Sequence, residues 1–162
     1  KALIVGGNGA LGKAVVQRFA TCSTKPWTVF SLDITENSIA NHNILIKADF
    51  ASDENSVEKL YPQLGEDKFD SVICVAGGWE GHDISSSKLV YSTHSMMNMC
   101  FYSSVLSAHL AKKYLKENSL FVLTSAGAVH DKVDCTGMLS YQFSKQSVEN
   151  LTETLVQYPK LL

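Results

Sequence analysis

With 162 residues, 45% of them hydrophobic and 19% charged, the chain has the composition of one soluble globular domain. Its formal net charge of −2 gives no electrostatic reason to bind nucleic acid or a membrane surface. No apolar run approaches the roughly 18 residues of a membrane span. Because the four cysteines and five histidines show no metal-binding spacing, we expect a cytoplasmic protein without a metal site.

Strand-like and helix-like segments alternate along the chain. This alternation predicts an α/β domain of Rossmann type, with a doubly wound parallel sheet and helices on both faces. The predicted strands are residues 2–6, 28–32, 43–47, 69–76 and 119–125. The predicted helices are residues 10–21, 53–64, 91–116 and 139–158, and a loop through Asp134 precedes the last helix.

A glycine-rich turn joins the first predicted strand to the first predicted helix. Gly6, Gly9 and Gly12 form the pattern G-x-x-G-x-x-G. Such a turn lets the backbone approach a phosphate closely, and the helix that follows points its free N–H groups at the same place. We therefore expect Gly6, Gly9, Ala10, Leu11 and Gly12 to hold the pyrophosphate of a dinucleotide. A merely tight strand–helix junction is the alternative.

An acid at the tip of the second strand extends this prediction. Asp33 follows Gly12 by 21 positions, which suits a carboxylate that accepts hydrogen bonds from the adenosine ribose. Its charge would repel a 2′-phosphate, so NADH is favoured over NADPH. Asp49, at the tip of the third strand, is a candidate neighbour of the adenine; a helix cap or solvated loop acid is an equally good interpretation.

The same glycines also allow a nucleoside triphosphate loop. Residues 7–14 nearly match G-x-x-x-x-G-K-[ST], and Asp33 could imitate the acid of the second nucleotide motif. However, Ala14 stands where a serine or threonine hydroxyl should hold Mg²⁺. Alanine has no oxygen to bind a metal, so this interpretation is the weaker one.

The fourth predicted strand opens into a second glycine-containing segment. Ala76, Gly77 and Gly78 allow the backbone to approach a ligand closely, here on the nicotinamide side of the sheet. Trp79 follows directly and can present a flat apolar face to a planar ring. A simple hydrophobic plug is the alternative role for this tryptophan.

The last predicted helix carries a candidate catalytic pair. Tyr141 and Lys145 are four residues apart and therefore share one helical face. A neighbouring cation lowers the pKa of a phenol, which suits general acid–base catalysis near neutral pH. Taken alone, an exposed tyrosine beside a surface lysine would be the commoner explanation.

Together these motifs resemble the short-chain dehydrogenase/reductases, and most closely the dihydropteridine reductases. The segment Cys74 to Trp79, Cys-Val-Ala-Gly-Gly-Trp, is the most specific part of the resemblance, since most of the superfamily carries an Asn-Asn-Ala-Gly-like sequence there. Residues 5–12, 107–111 and 137–141 also look like dihydropteridine reductase segments in the same order. The resemblance covers nearly the whole chain.

This resemblance implies an activity and a role for each site residue. The chain would reduce quinonoid dihydropteridine to tetrahydropteridine with NADH. Lys145 would bind the nicotinamide ribose and lower the pKa of Tyr141, and Tyr141 would supply the proton. Trp79 would form a wall beside the pterin substrate. The helices at 91–116 and 139–158 would pair with a second copy of the chain to form a homodimer.

The chain also departs from the superfamily pattern. Ala128 stands 13 positions before Tyr141, where most members carry a catalytic serine, and neither Ser125 nor Asn98 can be given a family role. Relatives continue with two more strands and a substrate loop, so we expect 1–162 to be a C-terminally incomplete NAD(H)-binding domain. Another NAD(P)H-dependent reductase of the superfamily and a non-catalytic NAD(H) sensor remain as alternative functions.

Overall fold

The fold is built on a parallel β-sheet in a computed structural model that describes residues 1–129 and 135–162. Within these residues the sheet has five strands in the order β3-β2-β1-β4-β5. The strands are β1 (Ala2–Val5), β2 (Val29–Asp33), β3 (His42–Leu45), β4 (Phe69–Cys74) and β5 (Leu115–Leu123). The α-helices are α1 (Ala10–Ala20), α2 (Tyr61–Leu64), α3 (Leu89–Met96), α4 (Ser103–Tyr114) and α5 (Leu139–Gln157). The predicted Rossmann-type α/β fold is confirmed.

The central strand of the sheet, β1, is buried on both faces. Because successive side chains of a strand point to opposite faces, β1 contributes to two apolar clusters. Leu3 packs in a cluster with Leu110 of α4, whereas Ile4 packs in a cluster with Val16 of α1. A strand covered on both sides is apolar throughout, which is why the first strand was readable from the sequence. Its end is therefore held rigidly under the glycine turn.

The predicted helix at 91–116 is interrupted, and it ends earlier than expected. A π-helical segment, Met97–Tyr102, separates α3 from α4. The hydroxyls of Ser103 and Ser104 donate to the carbonyl oxygens of Met99 and Cys100 four residues earlier. Such bonds occupy the carbonyls that a regular helix uses and are associated with helix bending. The hydrophobic pattern alone could not show this change of pitch.

The fifth strand begins earlier than the predicted 119–125. Leu115 already pairs with Phe69 of β4, and the register then shifts before Leu120 pairs with Ser71. Asn118 has a φ of 56°, a left-handed conformation that asparagine tolerates better than most residues. The predicted helix at 91–116 included Leu115, which the structure places at the start of β5.

The predicted helix at 53–64 is wrong over most of its length. Only a 3₁₀ turn, Glu58–Leu60, and α2 form there. Pro62 has no amide hydrogen, so it fits in the first turn of α2 but not inside a longer helix. Upstream, the Asp53 carboxylate accepts the Asn55 amide at 3.0 Å, which favours a turn.

Three predictions remain: the last helix, the loop before it and the absence of a membrane span. Helix α5 occupies the predicted 139–158 to within one residue at its C-terminus. The predicted loop through Asp134 falls at 130–134, outside the described residues. Within 1–129 and 135–162, no helix has both the length and the apolar character needed to cross a membrane.

Candidate active site

A cleft of about 310 Å³ lies at the carboxyl ends of β1, β2 and β4. Ligands of open α/β sheets bind at this edge, near the point where the strand order reverses. Five of the predicted site residues line the cleft: Gly6, Gly9, Asp33, Ala76 and Gly77. The structure therefore brings together residues that are up to 71 positions apart in the sequence.

The glycine turn is shaped by two close approaches. Gly6 has a φ of 81°, and a Cβ there would lie 2.5 Å from the backbone of Ala76. A Cβ on Gly12 would lie 1.9 Å from the carbonyl oxygen of Gly6. Gly9 differs, since a Cβ there would meet only that same oxygen, at 3.4 Å. The fold thus requires glycine at positions 6 and 12, whereas at position 9 the missing side chain leaves room in the cleft.

Helix α1 starts at this turn with amide groups available to a ligand. Its first intrahelical bond runs from the Lys13 amide to the Gly9 carbonyl oxygen. The amides of Ala10, Leu11 and Gly12 precede it and have no acceptor within the helix. No side chain caps them, because the N-cap is Gly9, and the first turn contains no acid. This helix end is suited to an anionic group such as a pyrophosphate.

The Asp33 carboxylate is fixed beside the turn by two backbone amides. Asn8 donates to one carboxylate oxygen at 2.8 Å, and Ile34 donates to the other at 2.7 Å. Each carboxylate oxygen can accept a further hydrogen bond. A negative charge held at this point can bind two sugar hydroxyls and disfavours a phosphate in their place.

Asp49, the predicted neighbour of the adenine, lies at the rim of the cleft. Its side chain is exposed, and its carbonyl oxygen accepts the Ser52 amide at the start of a 3₁₀ turn. Its neighbours Ala48 and Phe50 line the cleft. The acid is therefore at the predicted edge of the sheet, and a role in adenine binding stays a prediction.

The segment after β4 runs from the cleft, which Gly77 lines, to the exposed Trp79. Gly78 packs on Met99, since a Cβ there would lie 2.8 Å from the Met99 sulfur. Trp79 is 64% exposed, and its ring borders Gly81, where a Cβ would lie 2.7 Å from the ring and 2.8 Å from the Gly137 carbonyl oxygen. Trp79 thus lies beside the entry to α5, where a large apolar face is available to a ligand.

Lys145 is a buried ammonium group at the inner end of the candidate catalytic pair. It is 4% exposed, and its Nζ donates to the Thr124 carbonyl oxygen at 2.9 Å. The same Nζ lies 3.6 Å from the place a Gly77 Cβ would take and 6.0 Å from the centroid of the Tyr141 ring. The lysine thereby connects α5 to the tips of β4 and β5, and the surface-lysine alternative is wrong.

The electrostatics of Tyr141 differ from the expectation. Burial raises the pKa of its phenol, and charge on the nearby Cys100 adds to the rise. The predicted lowering of this pKa by Lys145 is therefore wrong, since burial outweighs any effect of the ammonium group 6.0 Å from the ring centroid. The phenol is protonated at neutral pH, as an unperturbed tyrosine also is, and this is the form that a proton donor needs.

Two residues near the site were left without a role by the sequence. Ser125 donates to Glu149 at 2.6 Å, so its hydroxyl is engaged in the helix contact. Asn98 is buried and lines the cleft. In the sequence, Asn98 stands out only as a single amide among methionines. Its inward position could not be predicted, because the pattern of residues did not show the π-helical segment in which it lies.

Comparison with solved structures identifies the fold. The chain aligns with a short-chain dehydrogenase family protein from Francisella tularensis at a TM-score of 0.79 and 21% identity, over 99% of this chain and 64% of that one. It aligns with an NADPH-bound carbonyl reductase from chicken fatty liver at 0.75 and 19% identity, over 99% and 71%. The fold is that of the short-chain dehydrogenase/reductases.

Sequence comparison supports the narrower resemblance within this fold. The chain is 35% identical over 155 residues to a dihydropteridine reductase from Dictyostelium discoideum, which covers 94% of this chain and 64% of that protein. No protein-family model matches the chain. The resemblance that the motifs indicated is confirmed, and the chain spans less than two thirds of the length of this dihydropteridine reductase.

Proposed function

We propose that the protein reduces quinonoid dihydropteridine to tetrahydropteridine with NADH. The observation that carries the proposal is the placement of Lys145: its buried amine lies between Thr124 and Gly77, on the helix of Tyr141 and beside the cleft. The similarity to a dihydropteridine reductase supports the choice of substrate. The chemistry implied is hydride transfer to an electron-poor ring, with one proton delivered by the protein.

The residues of the cleft fit a dinucleotide. The uncapped amides of α1 are suited to the pyrophosphate, and the fixed Asp33 carboxylate to the adenosine ribose. When bound, NADH supplies the hydride. Lys145 would donate a hydrogen bond to the nicotinamide ribose, and the glycine backbone at 77–78 would let the ring lie close to β4.

Tyr141 is the proposed proton donor. Its phenol is protonated at neutral pH, burial raises its pKa further, and Lys145 lies on the same helical face. As the substrate ring gains negative charge during reduction, the phenol can transfer its proton to a ring nitrogen, and the ammonium group stabilises the phenolate that forms. A pterin accepts the hydride into a delocalised ring, so fewer oxyanion donors are needed than for a ketone. This is consistent with Ala128 in place of the serine.

NADH is the proposed reductant in preference to NADPH. Structural neighbours do not decide between them, since one of them is an NADPH-bound carbonyl reductase. The Asp33 carboxylate is the argument from this chain, because its two amide bonds hold a negative charge where a 2′-phosphate would lie. The nucleoside triphosphate alternative is disfavoured, because Ala14 has no hydroxyl to hold Mg²⁺.

Removal of the Asp33 charge is expected to change this preference. Asp33→Asn should raise the KM for NADH and lower the KM for NADPH, so that the ratio of the two kcat/KM values shifts at least about tenfold toward NADPH. Steady-state kinetics with both cofactors measures the ratio. Glu117→Gln, which removes an exposed charge at the start of β5, is the control, and an unchanged ratio in Asp33→Asn would refute the role given to this carboxylate.

A substrate comparison tests the proposed reaction. The full-length protein should oxidise NADH rapidly with quinonoid dihydropteridine and at least about 100-fold more slowly with simple ketones. Preference for ketones would indicate another reductase of the superfamily. Binding of NADH without turnover of any carbonyl or pterin would indicate a sensor.

We also propose that the long helices pair two copies of the chain in the cytoplasm. Apolar side chains are exposed along them, among them Val90 and Tyr91 at α3 and Phe143 and Val156 on α5. An apolar face on two neighbouring helices is suited to a homodimer. The four cysteines, all described, form no disulfide, in keeping with a reducing compartment.

A further inference from the structure

Three hydroxyl groups, which we call the hydroxyl cluster, join the first turn of α5 to α3. Ser140, the second residue of α5, is fully buried, and its Oγ lies 2.7 Å from the Oγ of Ser92, which is also fully buried. The Thr93 Oγ1 lies 3.0 Å from the same Ser140 oxygen. Ser140 directly precedes Tyr141. The hydroxyl cluster therefore lies where the two helices meet, beside the proposed proton donor.

The hydrogen bonds of the hydroxyl cluster are satisfied within the protein. Ser92 and Thr93 donate to the Leu89 carbonyl oxygen at 3.1 and 2.8 Å, and the Ser140 Oγ lies 3.5 Å from it. A hydroxyl donates one proton and can accept at two lone pairs. Each of the three protons therefore has an acceptor inside the cluster. A buried polar network that is fully satisfied in this way rigidifies the contact in which it lies.

The hydroxyl cluster constrains α5 more sharply than an apolar contact would. Hydrophobic contact is non-directional, so an alanine at position 140 would tolerate small rotations of α5 about its axis. A hydrogen bond weakens when its distance or angle changes, and a buried hydroxyl without a partner costs free energy. A rotation that separates Ser140 from Ser92 is therefore opposed.

Lys145 is a second anchor of the same helix, and Tyr141 lies between the two. The Lys145 ammonium group is held by the Thr124 carbonyl oxygen. At 3.6 residues per turn, Ser140 and Lys145 point about 140° apart around the helix axis, and Tyr141 points about 100° from Ser140 and about 40° from Lys145. Two anchors on different sides of α5 fix the direction of the side chain between them.

We propose that Ser140 is a positioning residue, whose bonds to α3 set the rotation of α5 at which the Tyr141 phenol reaches the substrate. The inference rests on the proposed function in that Tyr141 donates the proton. A misplacement of about 1 Å can cost a catalytic step about 100-fold in rate. Loss of the Ser140 hydroxyl should therefore slow the chemical step and leave NADH binding nearly unchanged.

A kinetic comparison of two buried serines tests the proposal on the full-length protein. Ser140→Ala should lower kcat for quinonoid dihydropteridine about tenfold, with the KM for NADH within about twofold of wild type. Ser107→Ala is the matched control, because Ser107 is also fully buried but its hydroxyl bonds within α4, to the Ser103 carbonyl oxygen. Its kcat should stay within about twofold of wild type. An equal loss of kcat in both variants, or none in Ser140→Ala, would overturn the proposal.

A double variant shows whether Ser140 acts through Tyr141. In the Tyr141→Phe background there is no phenol to position, so adding Ser140→Ala should leave kcat within about twofold of the single variant. A further tenfold loss would show that Ser140 acts on other groups, and would overturn the proposal. If Ser140→Ala does not fold, Ser92→Ala, which removes the partner hydroxyl from α3, is measured in its place.

A titration of Tyr141 decides the role of Ser140 without an activity assay. In protein with ¹³C at tyrosine Cζ, the Tyr141 resonance is identified by its loss in Tyr141→Phe. Burial raises the pKa of this phenol, so a first turn of α5 released by Ser140→Ala should expose the ring and titrate at lower pH than wild type. A wild-type midpoint would overturn the proposal. Failure of the wild-type protein to turn over quinonoid dihydropteridine would instead refute the proposed function, while the titration still reports the positioning.

Discussion

Tyr141→Phe is expected to lower kcat for quinonoid dihydropteridine by at least about 100-fold, with little change in the affinity for NADH. The phenylalanine ring fills the same half-buried space on α5, so the helix contacts are kept and only the phenol proton is lost. The native phenol is protonated at neutral pH, and phenylalanine has no proton to offer in its place. Stopped-flow measurement of NADH oxidation separates the chemical step from binding.

Tyr158→Phe serves as the matched control for this experiment. Tyr158 lies at the other end of the same helix and is 54% exposed, so loss of its hydroxyl should leave kcat within about twofold of wild type. If Tyr141→Phe retains wild-type turnover while binding NADH normally, the proposed mechanism is wrong even if the substrate assignment stands.

Gly12→Ala is expected to abolish measurable NADH binding and to destabilise the fold by about 1–3 kcal/mol. The added Cβ would lie 1.9 Å from the Gly6 carbonyl oxygen and 2.8 Å from the carbonyl carbons of Gly6 and Gly7. These are backbone atoms, so relief requires the turn and the start of α1 to separate. Chemical denaturation reports the stability, and fluorescence titration reports the binding.

Gly9→Ala separates the two effects. Its Cβ would make only an ordinary contact, 3.4 Å from the Gly6 carbonyl oxygen, so stability should stay within about 0.5 kcal/mol of wild type. The methyl group would nevertheless occupy the cleft, and we expect at least about tenfold weaker NADH binding. Normal binding by Gly9→Ala would show that the dinucleotide does not approach the turn at this point.

The sequence predicted those parts of the protein whose structure depends on local chemistry. The first strand is apolar on both faces, and Gly6 and Gly12 stand where a turn allows no side chain. Asp33 could be placed because a parallel strand ends at a fixed distance from the turn. The positions of these residues in the fold therefore follow from the neighbouring sequence alone.

What the sequence did not predict depends on contacts between distant segments. The π-helical segment that turns Asn98 toward the cleft involves hydroxyl-to-carbonyl bonds inside an ordinary-looking helix. The buried Lys145 donates to the carbonyl group of Thr124, which lies 21 residues earlier and directly after β5. The raised pKa of Tyr141 follows from its surroundings, which helical spacing alone cannot describe.

The close approach of Gly6 to Ala76 has a consequence for how the protein can change during evolution. With the position of a Gly6 Cβ only 2.5 Å from the Ala76 backbone, the glycine turn and the segment that follows β4 form one mechanical unit. A bulkier residue at position 6 would push these two walls of the cleft apart. In homologous sequences these two positions should therefore drift as a pair, each remaining small for as long as the other does.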